Sequence, residues 1–289
     1  MIEPTNLCNL KCPLCPCGNG SLQRPRGYMD YQLFRDIADK LHRKVWMLML
    51  WNQGEPFLNP DFYRMLEYAS TKSFFTMTST NASLNLDCER IVRSGLSKII
   101  ISMDGISAQT YNSYRVNGNY DLVMQNLREL VSYKVLLKSK IQIVWQFIVM
   151  KHNEHELAQV KHLAGEIGVD KLELKTVQIY NKEDIRFLPS SHRYSRYAFS
   201  EDSFQLKTKL LNHCRRLWTQ PVLNWDGEMS ICCYDKDCSI KVGNIRQQSF
   251  SELWFGKKLN SIRNKVLHDR KSIAICTNCG EGIVQKIKA

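Results

Sequence analysis

The stretch Cys8-Asn9-Leu10-Lys11-Cys12-Pro13-Leu14-Cys15 constrains this chain more than any other. Three thiols fall in the spacing C-x3-C-x2-C, just after the short extended run Ile2-Glu3-Pro4. Pro13 and Pro16 prevent a regular helix, because proline lacks the amide donor and fixes φ. A non-helical loop can curl round one object and aim all three sulfurs inward. Iron–sulfur clusters are held by Cys thiolates, and a four-iron cluster takes four ligands. Three close cysteines with no obvious fourth leave one iron open to a non-protein ligand. A structural zinc site is the alternative, but zinc usually takes two well-separated ligand pairs.

This C-x3-C-x2-C resembles the signature of the radical S-adenosyl-L-methionine (SAM) enzymes. The resemblance implies a [4Fe–4S] cluster on Cys8, Cys12 and Cys15, with SAM chelating the fourth iron through its amino and carboxylate groups. It also implies reductive cleavage of SAM to a 5′-deoxyadenosyl radical that abstracts a substrate hydrogen. Cys17 lies outside the pattern and reads as a bystander.

At 289 residues the chain has room for one large domain and a small one. Met1 runs directly into the cysteine loop with no secretory signal, and no apolar run is long enough to span a membrane. Eleven cysteines without a signal peptide point to reduced thiols in a cytoplasmic protein, where metal binding is favoured over disulfides. The net charge of +12 argues for an anionic partner, whether a phosphorylated or nucleotide-linked substrate, an acidic peptide, RNA or an acidic electron donor. The cations are scattered rather than blocked, so charge gives a direction and no identity.

Only Met1 and Ile2 precede Glu3, so the first strand is expected to be short or the true start to lie upstream. Asp30 can cap a helix with Leu33, Phe34, Ile37, Ala38 and Leu41 inward. Val45 to Trp51 reads as a doubly buried parallel strand. Asn59 and Pro60 should cap and open the next helix. Strands follow at 74–79, 98–103, 141–150 and 171–177, alternating with helices. The pattern predicts six βα-type units, hence a parallel α/β fold with active residues at the C-terminal strand ends. The family resemblance implies a partial (β/α)6 TIM-like barrel over residues 1–178. The polar, basic stretch from 179 to 212 reads as a bridging connector across the open side, one that can also shape the substrate pocket. Residues 213–289 carry a hairpin turning at Asp226-Gly227, a Ser249/Glu252 capping box and a late C-x2-C, Cys276 to Cys279.

Several short motifs extend the resemblance. Gly54-Glu55-Pro56 after the second strand is similar to the family element that binds the SAM amino group, and a carboxylate suits an ammonium. Ser102-Met103-Asp104-Gly105 resembles the Ser-x-Asp-Gly that helps hold the SAM ribose and carboxylate. Arg115, at the end of Tyr111-Asn112-Ser113-Tyr114-Arg115, matches a tyrosine-to-arginine element whose guanidinium can fork onto a carboxylate. Thr80-Asn81 matches the usual Thr-Asn-Gly, except that Ala82 replaces Gly. Gln146 and Lys175, on strands five and six, are candidate catalytic residues. The C-terminal cysteines resemble the SPASM auxiliary-cluster domain and its shortened form, twitch. The resemblance implies a second [4Fe–4S] cluster on Cys214, Cys232, Cys276 and Cys279. Cys233 and Cys238 could each replace one of these or stand spare. In a hairpin strand Cys232 and Cys233 would point to opposite faces, and the spacing from Gly227 selects Cys232.

These features imply a SAM-cleaving enzyme that oxidises a carbinol centre of a small polar molecule, such as a sugar or aminocyclitol, with the auxiliary cluster accepting the electron. Peptide maturation is an alternative, though the chain has no room for a leader-binding module before the barrel. Redox-neutral epimerisation with a Cys hydrogen donor is another. A bare cluster-carrying scaffold would need none of Glu55, Ser102 and Arg115. The expected partners are a small, possibly anionic substrate and an acidic donor such as flavodoxin or ferredoxin, rather than a membrane or nucleic acid.

Overall fold

The computed structural model describes residues 1–280. Its centre is a five-stranded parallel sheet ordered β1 (Met47–Met49), β2 (Phe75–Thr80), β3 (Lys98–Ser102), β4 (Gln142–Val149) and β5 (Lys171–Thr176). Each crossover carries a helix: Phe62–Ser70, Cys88–Arg93, Tyr120–Leu136 and Leu157–Ile167. Side chains alternate along a strand. Ile99, Ile101, Ile143, Trp145 and Phe147 therefore form one buried face, clustered with Phe62, Leu66, Ile91, Val123, Leu127 and Val160 of the helices. The other face, where Ser102 pairs in register with Gln146, opens on the inside of the partial barrel.

Local chemistry sets the helix ends. Asp30 accepts from Leu33 N at 2.7 Å and starts Tyr31–Leu41. Asp87 accepts from Arg90 N, and Gly95 at φ +79° lets the chain turn back. The helix Phe62–Ser70 opens after Asp61, beyond Pro60, and Asn59 Oδ1 accepts from Asp61 N at 2.9 Å, ahead of the helix rather than within its first turn. The buried Asn59 amide donates to Pro4 O and Met29 O, both within 2.9 Å, tying the entry to the cysteine loop to the rest of the barrel. Pro4 O also accepts from Met29 N at 2.8 Å, so the Asn59 amide reinforces a contact the backbone already makes.

The first unit's strand is reduced to one residue. Ile2 N donates to Met49 O at 2.8 Å, and Ile2 bridges Leu223 in parallel. Leu223 belongs to a second sheet, β8 (Val222–Leu223), β9 (Glu228–Ser230) and β10 (Lys241–Asn244), all antiparallel. The N-terminal residues thus splice the barrel sheet to the C-terminal one. Strand β10 and a two-stranded ribbon, β6 (Tyr197–Phe199) with β7 (Phe204–Leu206), are elements the sequence pattern does not reveal. Among the described residues no helix is long and apolar enough to cross a membrane.

Candidate active site

The cysteine loop is fixed by its non-cysteine residues. Leu10 and Leu14 are buried with Tyr114, Met150, Val177, Ile179, Phe187 and Tyr197. Lys11 N donates to Val116 O at 2.9 Å. After Cys15 the chain makes one helical turn, Pro16–Asn19, in which Cys15 O accepts from Gly18 N and Asn19 N. A side chain at Gly18 would stand 2.5 Å from Cys12 N, so only glycine lets the loop close so tightly. Cys8, Cys12 and Cys15 consequently line one cavity of about 400 Å³. Burial pushes the Cys8 thiol up to about 12 and raises Cys12, which Arg115 partly offsets. A hydrogen bond from Cys17 holds Cys15 below the ordinary thiol range. The Cys17 sulfur itself is aimed at Gln53 Oε1, 3.8 Å away.

Gly54 and Glu55 stand on the same cavity wall. Gly54 takes φ +75°, and a Cβ there would meet Leu7 O at 2.5 Å. Glu55 N donates to that same carbonyl at 2.7 Å, so the two loops are bolted together. The Glu55 carboxylate is 1 % exposed and accepts from Asn81 N (2.7 Å), Thr80 Oγ1 (2.8 Å) and Phe57 N (3.2 Å). Burial nevertheless pushes it up to about 7. Pro56 opens the short 3-10 turn behind it and is not a cavity wall. Ala82 sits at φ +52°, a left-handed turn that glycine would take with less strain. Asn81, Ser102, Arg115 and Gln146 all line the cavity.

Two more residues depart from expectation. Asp104 is fully buried behind the cavity. Its Oδ2 accepts from Arg115 Nε at 2.6 Å and its Oδ1 from Ile148 N at 2.6 Å. It therefore orients Arg115 and has no free oxygen to offer a ligand directly. Lys175 pairs in register with Ile148, but its Nζ lies 3.0 Å from Glu173 Oε2 and it is not a cavity wall. Glu173, also reached by Lys171 and Lys98, draws Lys175 away along the strand.

The far wall was not foreseen residue by residue. Thr176, Gln178, Tyr180, Arg196 and Lys236 close it. The only sequence hint for Tyr180 and Arg196 was the basic, aromatic character of their segment. Glu3 was missed as well. It is fully buried, takes a two-pronged ion pair from Arg24 at 2.7 and 2.5 Å, and accepts from Asn52 Nδ2 and Gln53 N.

In the C-terminal part, Cys214, Cys276 and Cys279 are buried and Cys232 half-buried. Cys232 lies within electrostatic reach of Cys279, and Cys276 of Cys214. Strand β9 ends at Ser230, so Cys232 and Cys233 sit in the following bend and turn, and strand alternation does not separate them. Their surroundings do: Arg216 Nη1 donates to Cys233 Sγ at 3.0 Å. Cys238 is buried and lies within electrostatic reach of Asp235, Glu228, Asp226 and Arg24. The Cys276–Cys279 loop also touches the cavity wall. Asn278 O accepts from Gln178 Nε2, Asn278 Nδ2 donates to Ile179 O, and Tyr197 OH donates to Asn278 Oδ1 at 3.0 Å. Among the described residues no three His, Cys, Asp or Glu side chains converge as they would round a single metal ion.

Comparison with known proteins agrees with this arrangement. The radical SAM superfamily model matches residues 2–164, more than half of the chain, and the SPASM model, an iron–sulfur cluster-binding domain, matches residues 214–280. The AdoMet-dependent heme synthase of Methanosarcina barkeri is 23% identical over 287 residues, covering 87% of this chain and 80% of that protein. The mycofactocin maturase MftC of Mycobacterium ulcerans is 29% identical over 168 residues, 57% of this chain and 44% of that one. The crystal structure of BtrN in complex with AdoMet and 2-DOIA superposes with a TM-score of 0.59 at 17% identity, over 99% of this chain and 94% of that one. SAM and two [4Fe–4S] clusters are accordingly the cofactors. With both models matched, each over one of the two cysteine groups, the chain is a radical SAM enzyme that carries a SPASM-type iron–sulfur domain.

Proposed function

We propose that the enzyme oxidises a carbinol centre of a small polar substrate, such as a sugar or aminocyclitol, and passes the electron to its C-terminal cluster. In this reading residues 1–178 form the SAM barrel, 179–212 the connector and 213–289 the twitch-like cluster domain, of which residues beyond 280 lie outside those described. Cys8, Cys12 and Cys15 would hold the first cluster, and Cys214, Cys232, Cys276 and Cys279 the second. The donor sets fit: three thiols on one cavity, and four in two neighbouring pairs, where each thiolate can take its own iron. Bound there, the first cluster with SAM supplies a hydrogen-abstracting radical and the second a one-electron acceptor.

The chain's own part is recognition and shielding. Glu55 would accept from the SAM amino group. Arg115, held by Asp104, would reach its carboxylate, and Asn81 and Ser102 would border its ribose. Tyr114, Leu10 and Leu14 keep the cysteine side dry. The observation that carries the oxidation reading is the contact of Asn278 with Gln178, which joins the late cysteine loop to the substrate wall. Gln146 faces the same space and can orient a hydroxyl. A small acidic protein such as flavodoxin or ferredoxin would supply the reducing electron to this basic surface.

The test is turnover with a panel of sugars and aminocyclitols. Wild-type enzyme should give a product lighter by two hydrogens. Cys232→Ala should lose the second cluster's iron and the oxidised product while still forming 5′-deoxyadenosine, whereas Cys233→Ala and Cys238→Ala keep both clusters. A product of unchanged mass would sink the oxidation reading and make Cys17, Cys233 or Cys238 a candidate hydrogen donor for epimerisation. Peptide maturation is the second reading, favoured by the 29% identity to a maturase. A modified peptide in place of an oxidised sugar would establish it.

Glu55 also predicts a pH dependence. Its folded-state value of about 7 lies above the ordinary 4.5, so the SAM-free protein loses stability as rising pH ionises it across that window. Donors on the SAM amino group favour the carboxylate, so SAM binding expels the proton. Affinity should therefore climb as pH rises through about 7, and Glu55→Gln should lose that part of the slope. Equal slopes in both proteins by calorimetry would remove Glu55 from the SAM site.

A further inference from the structure

The cavity carries an asymmetric charge. Among the described residues that line it the only carboxylate is Glu55, and it is engaged by Thr80, Asn81 and Phe57 at the SAM end. Among the described residues three cations share the cavity: Arg115, which is neutralised by Asp104, and Arg196 and Lys236. Neither Arg196 nor Lys236 pairs with a carboxylate among the described residues.

The reason Lys236 stays unpaired is visible in its neighbours. It is flanked by Asp235 and Asp237, yet both carboxylates accept from backbone amides, Asp235 in a local turn and Asp237 across the fold. Asp235 accepts from Ser239 N, Ser239 Oγ and Ile240 N, and Asp237 accepts from Gln23 N. The Lys236 ammonium turns instead to Tyr180, donating to its hydroxyl and lying 4.6 Å from the ring centroid. Arg196 is held from behind. Its Nε donates to Thr176 Oγ1 at 2.8 Å and its Nη2 to Thr176 O at 3.0 Å. Its Nη1 lies beside Gly280, where a Cβ would stand 2.9 Å away. An arginine fixed along one edge by neutral acceptors keeps its full charge and a preset direction.

We propose that Arg196 and Lys236 form an anion subsite, so that the substrate carries a carboxylate or phosphate group bound at the wall opposite Glu55. This rests on the cavity being the substrate site described above. Tyr180 completes the subsite as a ring and hydroxyl from which Lys236 can swing onto the anion. A rival role is compensation of cluster charge, since Lys236 is within electrostatic reach of Cys15.

The experiment uses holoenzyme with both clusters, saturated with SAM so that no iron is open to added anions. Inorganic phosphate and acetate are titrated separately at low ionic strength by calorimetry. Wild-type enzyme should bind at least one of them saturably. Arg196→Gln and Lys236→Met should each weaken that binding by about tenfold or more, as loss of a charge-assisted hydrogen bond does. Lys175→Met, an equal charge change outside the cavity, should bind as the wild type does. Preference for phosphate assigns a phosphate ester to the substrate, and preference for acetate a carboxylate. No saturable binding in the wild type, or affinity that survives both substitutions, overturns the subsite. Affinity that survives while the cluster potentials move would give the two cations to the clusters instead. SAM cleavage is measured in the same preparation. Its absence would fault the radical SAM chemistry, whereas cleavage without anion binding faults the subsite alone.

Discussion

Exchanging Cys8, Cys12 and Cys15 for alanine should abolish 5′-deoxyadenosine formation and remove one cluster's iron while leaving the other's. The effect is expected to be all or none, because without thiolates there is no iron for SAM to chelate. It should also be clean. Cys12 packs in the same cluster, with Cys8 and Cys15 against it, but the loop is also anchored by Leu10, Leu14 and the Lys11 amide, which the substitutions leave in place. Cys88→Ala is the matching control. That thiol is 2 % exposed, packs in the main core and donates to Asn126, far from either cysteine group in the fold. It should cost some stability and no SAM cleavage. Deoxyadenosine from the triple variant would show that the radical site lies elsewhere.

Glu3→Gln and Arg24→Met should each destabilise the protein by about 3–5 kcal/mol, the usual penalty for leaving one partner of a buried ion pair alone. The Glu3 carboxylate is fully buried and the Arg24 side chain is 7% exposed, so little solvent screening softens the loss. The pair joins four segments. Arg24 Nε donates to Lys236 O, while Glu3 also accepts from Asn52 Nδ2, from Gln53 N next to the Gly54-Glu55 loop, and from Trp225 N in the C-terminal hairpin. Denaturant unfolding of the cluster-free proteins measures the loss directly. Replacing both residues together should be milder than the sum, because it removes the stranded charge. Wild-type midpoints in the single variants would contradict this role. Arg115→Ala faces the same difficulty: it strands Asp104, so a fall in SAM affinity there would mix lost contact with lost stability. Glu55→Gln is the cleaner probe of the site.

The alternating strands and helices were legible because the longer helices show an apolar stripe and the central strands Lys98–Ser102 and Gln142–Val149 are runs of Ile, Val and Phe. Cap chemistry was legible where one side chain meets one amide, as at Asp30 and Ser249. It failed at Asn59, whose partners Pro4 and Met29 are distant in sequence. The same holds for Asp104, which looked like a ligand-facing carboxylate until Arg115 and the Ile148 amide were seen to surround it. Lys175 was read from strand position alone, and the neighbouring Glu173 decided its direction. The cysteine spacings needed no tertiary information. The far wall of the cavity did, since Tyr180, Arg196 and Lys236 come from irregular segments without periodicity.

The central claim is that the chain holds two unlike clusters, one open to SAM on Cys8, Cys12 and Cys15 and one closed on the C-terminal cysteines. The most direct measurement is electron paramagnetic resonance of the reduced holoenzyme with and without SAM, compared with the triple alanine variant. Two signals should be present in the wild type, and SAM should shift only one of them. The variant should retain only the signal that SAM leaves unmoved. A SAM-induced shift in the signal that survives in the variant would contradict the account.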